Sequence, residues 1–127
     1  MKKSTENWLK IAKRDLKYAK DNLTIGNYIL SIEKSHSALE KLLKALIIEQ
    51  GQIPSRVHNL LKLAGEALIN NLQEDIKAFL DELSDSYIPT RYPDDFDELE
   101  KKYNFETSSK IINETERIFK WLEKKIT

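Results

Sequence analysis

The chain contains no cysteine among its 127 residues. Disulfides, thiolate zinc sites and cysteine nucleophiles are excluded together, and the composition fits a reducing, cytoplasmic setting. Glycine and proline number only three each, too few turn-formers for a chain of many short strands. Positive and negative residues balance at 21 each, so no global field draws the protein to nucleic acid or to an anionic membrane. Met1-Lys2-Lys3 is not followed by an apolar signal core, and no run approaches the roughly 18 apolar residues that span a bilayer. The two histidines leave little scope for metal ligation, and neither a metal nor a cofactor is implied.

What the chain has in abundance is Leu, Ile, Lys and Glu, with 33% charged residues. An all-α fold is expected, in one domain over residues 1–127 by the usual size of domains. Ser4 and Thr5 are the expected N-caps of a first helix, whose Trp8, Ile11, Ala12, Leu16, Ala19 and Leu23 recur at three- and four-residue steps until Gly26-Asn27. A second helix is expected from about Tyr28 to Gln50, stopped by Gly51, with Ile29, Ile32, His36, Leu39, Leu43 and Leu46 on its stripe. Ala38, Leu42 and Ala45 widen that buried face, as a central bundle helix requires.

A third helix is expected over about Val57–Ile69, with Leu60, Leu61, Ala64, Ala67 and Leu68 inward, and a fourth over about Gln73–Ser86, with the break at Asn70-Asn71. Residues 95–104 suit a short turn of helix, and Thr107-Ser108-Ser109 suits the cap of a last one. Short connections then make neighbours antiparallel, giving an up-and-down four-helix bundle with an additional short helix.

Four features carry chemistry. His36, Glu40 and Lys44 follow each other at four-residue steps on the second helix, where His36 takes the place of an apolar residue. They form either a polar ladder lining a cleft, or a core-edge histidine on a carbonyl beside a solvated Glu40–Lys44 ion pair. His58 precedes the third helix with Arg56 two residues earlier, as a plain turn residue or as one wall of an anion site. Residues 1–25 hold seven positive and three negative charges, and residues 81–106 three positive and nine negative. That asymmetry serves either solubility or a steered contact with a second copy or a partner protein. Aromatic residues are not interleaved with the basic ones, so RNA or other nucleic acid is not a favoured ligand.

The fourth feature is the stretch YIPTRYPDDFDELE. Pro89 and Pro93 are expected to hold Ile88 and Tyr92 out of helix and to stiffen the backbone around Arg91. Arg91, Tyr92 and Asp94, with Tyr87 nearby, form a set able to grip a phosphate or a carboxylate. The alternative is that the tyrosines close the bundle end while Arg91 pairs with Asp94 or Asp95.

The segments WLKIAKRDLKYAKDNL, HSALEKLLKALIIEQGQIPSRVHNLLKL and YIPTRYPDD, spanning Trp8 to Asp95 in this order, resemble the HEPN domain family, in particular its stand-alone prokaryotic branch. The middle segment and Arg91-Tyr92-Pro93-Asp94 are the specific parts. The resemblance implies a helical bundle, usually a homodimer, encoded beside a minimal nucleotidyltransferase as a two-protein module of toxin–antitoxin type. It implies a nucleotide- or anion-binding, or a partner-binding, subunit, with Arg91, Tyr92 and Asp94 as matching positions; His36, Glu40, Lys44 and His58 join them by helix face. Many members are metal-independent ribonucleases marked by Arg, four to six residues, then His. None of Arg14, Arg56, Arg91 or Arg117 meets a His at that distance. The reading is therefore of binding rather than catalysis, with a divergent ribonuclease or a purely structural interaction bundle as the alternatives.

Overall fold

In a computed structural model, residues 1–67 and 69–126 are described. Those residues form seven helices and no strand: α1 (Lys3–Thr24), α2 (Tyr28–Glu49), α3 (Leu60–Glu66), α4 (Glu74–Asp85), α5 (Tyr87–Arg91), α6 (Phe96–Lys102) and α7 (Phe105–Glu123). The expected all-α bundle is present. No described helix is long and apolar enough to cross a membrane.

α1 and α2 form an antiparallel hairpin. Gly26, at φ +85°, reverses the chain in a conformation that a Cβ would strain. At the other end of the hairpin, the Lys2 ammonium donates to the Ile48 carbonyl at 3.0 Å, and Thr5 Oγ1 donates to Glu49 at 2.9 Å. These contacts tie the start of α1 to the end of α2. α7 runs antiparallel to α1, since Lys20 pairs with Glu116 and Lys13 with Glu123.

α2 is the central element. Ile32, Leu39, Leu42, Leu43 and Ile47 are at most 1% exposed, and Ala12, Leu63, Leu80, Ile118 and Phe119 meet them from α1, α3, α4 and α7. Truncating one such leucine to alanine removes about 2–5 kcal/mol of stability. A helix buried on most sides can also hold polar groups away from water, and α2 buries Ser31, Ser35, His36, Glu40 and Lys44.

Several boundaries differ from expectation because side chains rather than periodicity set them. Neither Ser4 nor Thr5 caps α1, which starts at Lys3 with no side-chain cap; Thr5 is buried against Glu49 instead. α3 begins at Leu60 rather than Val57, where the Asn59 side chain accepts from Lys62 N at 2.9 Å. Leu68, expected inside that helix, lies outside the described residues. Asn104 caps α7 by accepting from Thr107 N, and Ser108 is buried within the helix rather than capping it. Ile88 is helical, contrary to expectation, because the chain breaks at Ser86 and starts a new helix, whereas Tyr92 lies outside it as expected. Pro89 then falls in a first turn, where its missing N–H is not needed.

Candidate functional site

α2, the loop before α3, and α5 converge on one polar cluster. The three- and four-residue steps of α2 line up Glu33, His36, Glu40 and Lys44. Glu40 is 3% exposed; its Oε2 accepts from Lys44 Nζ at 3.0 Å and its Oε1 accepts from His58 Nδ1 at 3.0 Å. Burial pushes the Glu40 carboxyl up, but the Lys44 hydrogen bond and charge, the Lys41 charge and the His58 hydrogen bond outweigh it and hold the group below its ordinary value. Glu40 is therefore a carboxylate at neutral pH.

His36 is wholly buried, and its Nε2 lies 2.8 Å from the His58 carbonyl oxygen. A carbonyl only accepts, so Nε2 carries the proton. Its pKa is lowered to about 4, first by burial, with the Arg91 and His58 charges acting in the same sense against Glu40. The ring is thus neutral near pH 7 with a bare Nδ1, which has no hydrogen-bond partner and sits 3.6 Å from Glu40 Oε1.

His58 is oriented at several points. Its carbonyl receives His36, its Nδ1–H donates to Glu40, and its ring stacks on Tyr87 with centroids 4.1 Å apart and planes 11° from parallel. In the neutral ring this leaves Nε2 as a bare acceptor on a side chain that is 46% exposed. Arg91 stands four residues after Tyr87 on α5, and its guanidinium carbon lies 3.9 Å from the Tyr87 ring centroid. Two flat groups this close cannot share one ring face, so Tyr87 is sandwiched between His58 and Arg91. Arg91 also donates to the Tyr87 carbonyl at 3.3 Å and lies 3.8 Å from Glu33 Oε1. The cluster opens onto a cleft of about 410 Å³ lined by His58, Asn59, Ser84, Asp85, Tyr87 and Ile88.

Of the residues singled out in the sequence, His36, Glu40, Lys44, His58 and Arg91 are brought together. Tyr92 and Asp94 are not among them. Tyr92 is 69% exposed and lines a separate depression with Asp94, because α5 ends at Arg91 and consecutive residues leave a helix on different faces. Arg91 pairs with Glu33 of α2 rather than with Asp94 or Asp95. Tyr87, noted in the sequence as a neighbour of Arg91, is a full member of the site. Two further members were not singled out, Glu33 and Lys41; Glu33 had a local signal, three residues before His36.

The arrangement offers a guanidinium with donors to spare, an aromatic plane and an imidazole fixed by a carboxylate. A phosphate or carboxylate can be gripped by the first, and a proton accepted or returned at His58 Nε2.

The sequence model described as the HEPN domain matches residues 5–125. Two solved structures are similar over nearly the whole chain. TT1696 from Thermus thermophilus is 26% identical with a TM-score of 0.83, covering 98% of this chain and 99% of that one. ST0689, described as an archaeal HEPN homologue, is 32% identical with a TM-score of 0.77, covering all of both chains. No functionally curated protein matches this chain.

Proposed function

We propose, for a chain that belongs to the HEPN domain family, that it is a nucleotide-binding subunit whose ligand phosphate is held by Arg91 at the edge of the Arg91–Tyr87–His58 stack. The observation that carries this reading is the sandwich itself. An arginine stacked on an aromatic ring keeps its guanidinium edge presented to an anion, and its order is settled before the ligand arrives. The 410 Å³ cleft on the His58 and Tyr87 side of that stack falls in the usual range for small-molecule sites, about 300–1,000 Å³. As the resemblance implies, the subunit works as a homodimer with a minimal nucleotidyltransferase as its partner, in a module of toxin–antitoxin type; the composition suits a cytoplasmic setting. Residues 1–127 act as one domain.

Calorimetry with nucleoside mono-, di- and triphosphates tests the binding role. Saturable binding that Arg91→Ala weakens by about tenfold or more is the expected result. No nucleotide binding, or binding indifferent to Arg91, overturns it. Co-purification with the product of an adjacent nucleotidyltransferase gene tests the partnership separately.

A second reading, ribonucleolysis, draws support from one observation: His58 has the hydrogen-bonding of an oriented general base, with Nδ1 on Glu40 and Nε2 left bare, while Arg91 lies across the Tyr87 ring. RNA cleavage abolished by His58→Ala and Arg91→Ala would favour it over pure binding; intact RNA would remove it.

A further inference from the structure

Away from the cleft, exposed apolar surface concentrates around the short helix α6. Leu30, Ile88, Tyr92 and Phe96 are 37%, 65%, 69% and 52% exposed. One depression of about 460 Å³ lies on the flank of α6 facing the start of α2, with Leu30 and Phe96 in its wall. Another of about 480 Å³ lies on the flank facing α5, walled by Ile88, Tyr92 and Leu99. Apolar surface gathered this way and rimmed by polar residues marks an interaction site.

The rim is mainly acidic. Asp94, Asp95 and Glu98 edge the second depression against one cation, Lys102, and Glu100 edges the first, within a segment of net charge −6 over residues 81–106. Among the described residues these four acids enter no ion pair. The basic end of the molecule is treated differently. Lys13, Lys17 and Lys20 of α1 are matched by Glu123, Asp21 and Glu116 of the same chain. The fold thus pairs most of the positive pole internally and leaves the negative one open. A second copy meeting this face with its own would set acid against acid, and a second copy offering α1 would bring basic residues that are mostly paired already.

We infer that the α5–α6 face is a docking surface for a cationic amphipathic segment of another protein. Its apolar side chains fill the depressions on either side of Phe96, and its lysines or arginines meet Asp94, Glu98 and Glu100. The surface is distinct from the cleft, meeting it at Ile88, which lines both, and meeting the Arg91 site at Glu33, which lines the first depression.

The test uses the full chain labelled with ¹⁵N and three synthetic helical peptides of equal length: Leu/Lys amphipathic, Leu/Glu amphipathic, and Ser/Lys with the same charge but no apolar face. The expected result is that only the Leu/Lys peptide binds tightly, shifting the amides of Ile88, Tyr92, Phe96 and Leu99. Phe96→Ser and the double change Asp94→Lys with Glu98→Lys each weaken it by about tenfold or more. Phe96 and Asp94 are exposed, so these variants keep the fold. Equal binding of the Ser/Lys peptide, shifts centred elsewhere, or no binding overturns the inference. So does a wild-type dimer that Phe96→Ser converts to monomer without peptide, which assigns the face to a second copy.

Discussion

Glu40 Oε1 and His58 Nδ1 lie 3.0 Å apart, and that one hydrogen bond joins the buried interior of α2 to the half-exposed wall of the cleft. Because the other Glu40 oxygen is taken by Lys44, the carboxylate serves two cations or donors at once. Its loss therefore reaches both the core and the site.

Glu40→Ala leaves Lys44, whose side chain is 11% exposed, without its counter-charge in the interior. The expected cost is about 3–5 kcal/mol, read as a lower midpoint in urea unfolding. Glu40→Gln keeps a hydrogen-bond acceptor and should cost less. A variant as stable as wild type would mean that Lys44 reaches water unaided.

His36 makes stability depend on pH in a stated direction. The unfolded chain protonates this ring near 6.5, and the folded chain only at about 4, so within that window acid favours the unfolded state. The contribution is whole above pH 6.5 and is lost progressively as the pH falls to about 4. Glu40, held below its ordinary 4.5, acts in a lower window: its contribution is present above 4.5 and lost as the pH falls through its depressed value. Urea unfolding at pH 7, 5.5 and 4.5 should show the first loss in wild type and a flatter profile in His36→Gln, whose amide can still donate to the His58 carbonyl. Equal slopes in both would assign the dependence elsewhere.

Tyr87→Leu keeps bulk but removes the ring against which His58 and Arg91 stack. The two stacking contacts are each worth about 0.5–1.5 kcal/mol, so unfolding should show a modest loss. Nucleotide affinity should fall together with that of Arg91→Ala, because the guanidinium is no longer held. An unchanged affinity in calorimetry would show that the ring does not order Arg91 for the ligand.

Asn104→Ala separates the cap seen in the structure from the one that the Thr107-Ser108-Ser109 run suggests. Loss of the Asn104 side-chain acceptor should cost about 1 kcal/mol, measured by thermal or chemical unfolding. Thr107→Ala should cost distinctly less, since its hydroxyl does not cap α7. The reverse order would restore the sequence-based assignment.

What was legible follows from the range of the interactions. The stripe of α2 predicts a helix from Tyr28 to Gln50, and the helix runs from Tyr28 to Glu49, since a long 3.6-residue pattern ending at Gly51 is a local signal repeated many times. The His36–Glu40–Lys44 ladder was legible for the same reason: four-residue spacing on a helix puts side chains side by side wherever the helix lies. The bounds of α3 were not, because seven residues hold too few repeats and a single Asn59 side chain sets where it starts. Arg91 was recognisable as a candidate anion group by its company of proline and tyrosine, but its partner was not. The nearby Asp94 and Asp95 were the local candidates, and Glu33 of α2 is the residue that meets it.

The sequence alone therefore determined the helical class, the central place of α2 and the polar ladder upon it, all of which rest on contacts a few residues apart and on an apolar face that must be buried. Tertiary structure alone decided that His58 turns its Nδ1 to Glu40, that Tyr87 lies between His58 and Arg91, and that Tyr92 and Asp94 face another way. Those outcomes depend on how α5 and the loop before α3 pack on α2. Packing of that kind is fixed by the sum of many long-range contacts in the folded chain, which no short spacing in the sequence records.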